Sequence, residues 1–132
     1  MENRPDFSNF LAHFTKAEDP AAENAYPEIQ KMSAKERLIS ILRDQKISAT
    51  EMPWTRANAV CFTECPWSSL IAHTKRYSQY GIGFAKSTIF SKHGGPVYYI
   101  RPDHFKKQMA ENKFDKYVWP FITPFSPSYR PK

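Results

Sequence analysis

Two short runs of the sequence hold the side chains best suited to bind or process a ligand. His13 and Thr15 lie two residues apart within residues 9–15, which alternate in the manner of a β-strand. An imidazole and a hydroxyl so placed point the same way, so they can hold one ligand together. The alternative is a histidine half-buried at a sheet edge, with no ligand beside it.

Glu64 is the second candidate, because it directly follows an apolar run that predicts a strand. A carboxylate in this position could act in catalysis. It could instead stabilise the helix predicted to begin at Pro66, since a helix N-terminus favours negative charge. Thr63, one residue earlier, could supply a hydroxyl to an anion bound at the same place.

Tyrosines form the third group of candidate residues. An aromatic face can hold a nicotinamide ring or a base by stacking, and ordinary core or rim packing is the alternative. His73, on the helix that follows Pro66, is expected to be structural. The tyrosines concerned are Tyr77, Tyr80, Tyr98 and Tyr99.

The two cysteines, Cys61 and Cys65, stand four residues apart and are poorly placed to form a disulfide. A zinc site would need two further ligands, of which His73 is the nearest candidate. We therefore expect no metal site and two ordinary buried thiols.

The elements that must position these groups predict an α+β fold: a small mixed, mainly antiparallel sheet flanked by helices. Strand alternation places Leu11, His13 and Thr15 on one face. Ser33 and Glu36 match a capping box at the start of an amphipathic helix over 34–44. The remaining predicted elements are a strand over 59–63 covered on both faces, a helix from Pro66 to Tyr77, a strand over 82–85, helical turns over 87–93, a strand over 96–100 and a helix capped by Asp103 and reaching Asn112.

The bulk properties of the 132 residues fit one domain with a real core, since 41% are hydrophobic and 15% aromatic. We predict a single domain over 1–114 and an extended tail over 115–132, rich in proline and aromatic residues, that packs on the domain or on a partner. The absence of a membrane-spanning stretch and of a signal sequence favours the cytoplasm.

The net charge of +6 is compatible with nucleic acid, an anionic cofactor or an acidic partner. The basic residues are dispersed, so a solvated basic surface competes with a nucleic-acid site. A nucleic-acid-binding module, the third possible function, would use Lys75, Arg76, Lys106 and Lys107. Nucleotide-binding glycine motifs and the common hydrolase motifs are absent from the sequence.

The order of the pieces is the most distinctive feature of the sequence. It consists of FLAHFT at 10–15, ISILRD at 39–44, VCFTECP at 60–66, YGIGF at 80–84 and PVYY at 96–99. This order resembles the abortive phage infection AbiGi-like family of bacterial proteins. The resemblance implies a phage-defence protein that acts as a binding or antitoxin-like module on a toxin or another defence component.

The same order is similar to the first two-thirds of an ADP-ribosyltransferase-like domain. That resemblance implies that His13 and Thr15 hold the nicotinamide-ribose side of NAD. Tyr77 with Tyr80, or Thr63 in its strand, would match the second element. An NAD-consuming transferase or glycohydrolase is thus the alternative function, with NAD as its cofactor.

The third element of such domains, a late glutamate stretch, has no counterpart before Lys132. Three expectations follow: an inactive relative, a site completed by a partner chain, or Glu64 in place of the missing carboxylate. In the last case Glu64 would stabilise the positive charge that develops on the ribose, and His13 would orient NAD.

Overall fold

The computed structural model describes residues 8–16, 27–64 and 67–125. The chain divides into two compact units: Met1–Thr50 with Val60–His93, and Glu51–Ala59 with Gly94–Lys132. In chain order the described elements are β1 (Phe10–Phe14), α1 (Pro27–Gln30), α2 (Ala34–Asp44), β2 (Thr50–Glu51), β3 (Asn58–Ala59), α3 (Trp67–Arg76), β4 (Gly81–Ala85), α4 (Lys86–Ser91), β5 (Tyr98–Ile100), α5 (Pro102–Ala110), a 3-10 helix (Trp119–Phe121) and β6 (Ile122–Pro124).

The predicted α+β class is confirmed. The described strands form three two-stranded sheets, β1–β4, β2–β3 and β5–β6, where we expected one small mixed sheet. The predicted domain boundary at residue 114 stays a prediction. None of the helices in the described ranges is long and apolar enough to cross a membrane.

The sheet of the first unit pairs β1 with β4 in antiparallel register. Phe10 lies opposite Ala85 and Phe14 opposite Gly81. Leu11 and Thr15 are buried, whereas Phe10 on the other face is 63% exposed. Leu11 and Thr15, which strand alternation was predicted to place on one face, are thus the buried residues of this segment.

Helix α2 begins with the predicted capping box. The Ser33 hydroxyl accepts from the Glu36 amide, and the Glu36 carboxylate accepts from the Ser33 amide. The helix ends at Asp44, and the next residue, Gln45, adopts the left-handed conformation at φ 50°. The capping box and the left-handed residue are local signals for the start and end of a helix, and the predicted bounds of 34–44 agree with the observed ones.

The second unit is held by aromatic side chains and by the parallel pairing of β5 with β6. The indole of Trp54 donates to the carbonyl oxygen of Ile122 at 2.6 Å, and that of Trp119 donates to the carbonyl oxygen of Thr55 at 2.9 Å. Ile122 is 1% exposed. Residues 119–124, which we predicted to be merely extended, thus supply a 3-10 helix, a strand and a core side chain.

Two predicted details are wrong. The run 59–63 is not a continuous buried strand, because among the described residues it contributes only the end of β3 and a single bridge from Thr63 to Ala12. Asp103 does not cap α5: Pro102 already begins the helix, so the capping position falls on Arg101. Proline suits a first helical residue because it lacks the amide hydrogen that would go unpaired there.

Candidate functional site

Thr15 is 4% exposed, and its hydroxyl is used within the fold. It donates to the carbonyl oxygen of Ala34 at 2.7 Å and also lies 3.2 Å from that of Tyr80. The first bond ties the end of the β1 strand to the start of α2. A ligand could reach this hydroxyl only by displacing a buried hydrogen bond.

Tyr80 immediately precedes β4, and its backbone extends the pairing of β4 with the β1 segment by one residue. The Thr15 amide donates to the Tyr80 carbonyl oxygen at 3.0 Å, and the Ser78 hydroxyl donates to the Thr15 carbonyl oxygen at 2.6 Å. The Tyr80 amide in turn donates to the Ser78 hydroxyl at 3.0 Å. Sequence reasoning missed Ser78, although a serine between a helix and a strand is a common turn signal.

Tyr77 lies just after α3 and is 39% exposed. Tyr80 is half-buried, and its hydroxyl is 3.5 Å from the Gln79 side-chain amide. The predicted stacking role of these two rings stays a prediction, as does the role of His73, whose side chain lies outside the described structure.

His13 is half-buried, and its Nδ1 lies 2.9 Å from the Cys61 carbonyl oxygen. Because a carbonyl only accepts, Nδ1 carries the proton in this bond. The imidazole also meets the Phe62 ring edge-on, with the ring centres 6.0 Å apart. The histidine therefore fastens the segment after β3 to strand β1.

Glu64 is anchored at the other end of β1. Its Oε1 accepts from the Ser8 amide at 3.1 Å and from the Lys86 ammonium. The bond from Lys86 is the main reason that the pKa of the Glu64 carboxyl lies below its ordinary value near 4.5. Sequence reasoning missed Lys86, because nothing local links it to a glutamate 22 residues away.

Thr63 forms the bridge that adds a third chain segment beside β1. Its amide donates to the Ala12 carbonyl oxygen at 2.8 Å, and its own carbonyl oxygen accepts from the Ala12 amide at 2.9 Å. Thr63 also makes a further interaction.

The predicted site residues are thus distributed along β1 in separate contacts. Thr15 meets Tyr80, His13 meets the Cys61 backbone, and Glu64 meets Lys86. Within the part of the chain that is described, no hydrogen bond joins His13 or Thr15 to Glu64. These side chains connect neighbouring segments of the chain to the sheet. Their catalytic and NAD-binding roles stay predictions.

The prediction of two buried thiols is wrong for Cys61, because this residue is exposed. Its thiol is nevertheless partly desolvated, which raises the pKa of the Cys61 thiol above its ordinary value. Cys65 lies outside the described residues. Within residues 8–16, 27–64 and 67–125, no cluster of histidine, cysteine and acidic residues could hold a metal.

The second unit presents an aromatic surface that we define by Tyr99 and Phe125. These residues are 64% and 49% exposed, respectively, and Tyr98 and Tyr117 are exposed elsewhere in the same unit. Tyr99 and Phe125 contact each other, with ring centres 5.5 Å apart. Exposed tyrosine and phenylalanine side chains are typical of protein interfaces.

The chain belongs to the family described as "Putative abortive phage resistance protein AbiGi, antitoxin", whose model matches residues 28–119. This match confirms the predicted family and the predicted class of function, an antitoxin-like protein of phage defence. No curated protein and no solved structure matches the chain. The comparisons therefore give no support to the ADP-ribosyltransferase likeness or to the nucleic-acid reading.

Proposed function

We propose that this chain is the antitoxin of a bacterial phage-defence pair and that it neutralises a toxin by binding it directly as a protein. The observation that carries the proposal is the family match over residues 28–119. An antitoxin of this kind needs surfaces that contact a partner, and it needs no catalytic centre of its own.

Two features of the molecule support a protein partner. The aromatic surface offers side chains that bury large areas at low entropic cost. The net charge of +6 favours a partner that presents an acidic surface, because opposite charges steer the encounter of two proteins.

The contacts around His13, Thr15 and Glu64 agree with a binding module. The Thr15 hydroxyl and the Glu64 carboxylate are both engaged by neighbouring groups of the same chain. We place the action of the protein in the cytoplasm. An exposed thiol such as that of Cys61 stays reduced there.

The test is co-expression with the product of the neighbouring gene as the toxin. We expect the toxin alone to arrest growth, the pair to grow, and a tagged antitoxin to co-purify with the untagged toxin in a fixed ratio. Growth arrest that persists in the presence of this chain, with no complex formed, would overturn the proposal.

A matched pair of variants separates surface contacts from folding. Tyr99→Ser alters the aromatic surface, where the ring is 64% exposed, and is expected to weaken the complex. Ile39→Ser, at a similarly exposed apolar position on α2, serves as the control and is expected to leave the complex unchanged. Both variants should melt cooperatively.

A further inference from the structure

Strand β4 has one edge paired with β1 and one edge open. In the antiparallel register, Ile82 and Phe84 lie opposite His13 and Leu11. The amide of Thr15 bonds to the carbonyl oxygen of Tyr80, which fixes the same alternate residues as the hydrogen-bonded pairs. The amide and carbonyl groups of Gly81 and Gly83, and the amide of Ala85, therefore point away from β1.

This outer edge has no partner among the described residues. Gly81, Gly83 and Ala85 are all exposed. No hydrogen bond to the outward amides of these three residues, or to the outward carbonyl oxygens of the two glycines, is formed by residues 8–16, 27–64 or 67–125. The edge is thus a row of main-chain donors and acceptors open to solvent.

Proteins commonly protect such an edge with proline, lysine or a bulge. The sequence Gly81-Ile82-Gly83-Phe84-Ala85 contains neither proline nor lysine, and its register with β1 runs without a bulge. Lys86, the next residue, is drawn toward Glu64 by their ion pair. The strand therefore keeps its edge available for pairing.

Gly83 gives the independent observation. Glycine weakens a strand, and it is usually retained for a positive φ, for tight packing or for the close approach of another backbone. Gly83 has no positive φ, and a Cβ built on it would meet nothing within 4 Å. Gly81 is different, since a Cβ there would lie 2.9 Å from the Phe14 ring. Packing within the described structure thus accounts for the glycine at position 81 and does not account for the one at position 83.

We propose that an extended strand of the toxin adds to the outer edge of β4. The amides and carbonyls of Gly81 and Gly83 would bond to its main chain, as in other cases of strand addition. This inference rests on the proposed function and names the place and the form of the contact. An extended main chain is the ligand that complements such a row of alternating donors and acceptors.

The charge of the chain argues for a toxin strand over a second copy of the protein. Pairing β4 with itself would bring together two molecules that each carry a net charge of +6. Like charges disfavour such an assembly, whereas an acidic toxin segment would be attracted.

The decisive experiment is amide hydrogen exchange by NMR on the free chain and on its complex with the co-expressed toxin. Strand addition should slow the exchange of the Gly81, Gly83 and Ala85 amides by about tenfold or more. The Ile82 and Phe84 amides already bond to β1, so their protection should change little. Docking through side chains alone would not produce this alternation.

A second measurement uses Gly83→Pro, which removes the outward amide without removing a bond to β1. Proline is tolerated at such edge positions, so the variant should fold. Its affinity for the toxin should fall about tenfold, since main-chain hydrogen bonds are lost. Gly83→Ala keeps the amide and adds only a methyl group, so its affinity for the toxin should fall less than that of Gly83→Pro.

The outcomes separate the two proposals. A stable complex with unchanged exchange at Gly81 and Gly83 overturns strand addition and leaves the antitoxin role intact. Absence of any complex overturns the antitoxin role and strand addition with it. Protection of the same amides in the free chain that rises with its own concentration would identify a second copy as the occupant and overturn the assignment to the toxin. If Gly83→Pro fails to fold, the exchange experiment on the wild-type chain still decides.

Discussion

The Lys86 ammonium donates to the Glu64 carboxylate and thereby links the start of α4 to the segment that precedes α3. The lysine side chain is 12% exposed and the glutamate side chain 33% exposed. Glu64 also accepts from the Ser8 amide, so this one carboxylate joins three parts of the first unit. These contacts indicate that Glu64 stabilises the fold, and its contribution to the free energy of unfolding can be measured.

Glu64→Gln should lower the free energy of unfolding at neutral pH by about 0.5–1 kcal/mol, the range for partly exposed ion pairs. The folded protein holds the pKa of Glu64 below its ordinary value, chiefly through Lys86. The stabilisation is therefore complete above the unfolded pKa and is lost as the pH falls through the folded pKa. Urea unfolding from neutral pH down to about pH 3 should show the difference between variant and wild type shrinking.

The control for this prediction is Glu111→Gln, which removes a more exposed ion pair to Lys113. It should change stability by less than about 0.5 kcal/mol, because such surface pairs contribute little. A Glu64→Gln effect that stays constant over the whole pH range would contradict the assignment to Lys86.

Thr15→Val should destabilise the protein by about 1–3 kcal/mol, because it removes the buried hydroxyl that donates to the Ala34 carbonyl oxygen. Thr15→Ser keeps the hydroxyl and loses one buried methyl group, so its cost should be nearer 1 kcal/mol, or about that of a methylene. Chemical denaturation of the two variants gives the comparison. Equal stability of Thr15→Val and wild type would free this residue for the ligand-binding role predicted from the sequence.

Features predicted correctly from the sequence are those whose signals lie close together along the chain. Helix α2 carries its capping box and its apolar spacing within residues 33–44. Simple alternation predicts that Leu11 and Thr15 share one face of the strand, and the structure shows both side chains buried. The order of sequence segments that resembles the AbiGi family can also be recognised without a structure, and the family is confirmed by the match over residues 28–119.

Features that the sequence did not reveal depend on contacts between distant segments. The partner of the Trp54 indole is the Ile122 carbonyl, 68 residues away, and prolines around Ile122 obscured strand β6. Likewise, Lys86 reaches Glu64 only because of the way β1 and β4 pair. Register between distant strands is set by burial and turn geometry in three dimensions, so no local pattern predicts it.

The two glycines of β4 should respond in opposite ways to alanine. In Gly81→Ala the new methyl group would lie 2.9 Å from Phe14 Cδ1 and 3.2 Å from the His13 carbonyl oxygen. Overpacking against backbone costs about 1–3 kcal/mol, so the melting temperature should fall. Gly83→Ala meets open space and should leave the melting temperature unchanged or raise it, since alanine restricts the unfolded chain.

Each variant adds one methyl group to β4, at positions two residues apart, so each serves as the control for the other. Thermal unfolding followed by circular dichroism is sufficient to rank them. A Gly83→Ala variant that melts well below Gly81→Ala would show that Gly83 serves the fold itself, and the argument for a partner backbone beside it would fail.

Ile122→Ala should be the most damaging of the substitutions considered, at about 2–4 kcal/mol, because it empties a fully buried position. The residue sits in β6, and its carbonyl oxygen accepts the Trp54 indole hydrogen bond, so the loss should also change the tryptophan fluorescence. Val118→Ala, at a position 40% exposed in the same segment, is the matched control and should cost less than about 1 kcal/mol. Equal and small effects of both variants in urea unfolding would mean that residues 115–125 are a dispensable tail. A large effect confined to Ile122→Ala would mean that this segment completes the core of the second unit, because only the buried side chain has packing to lose.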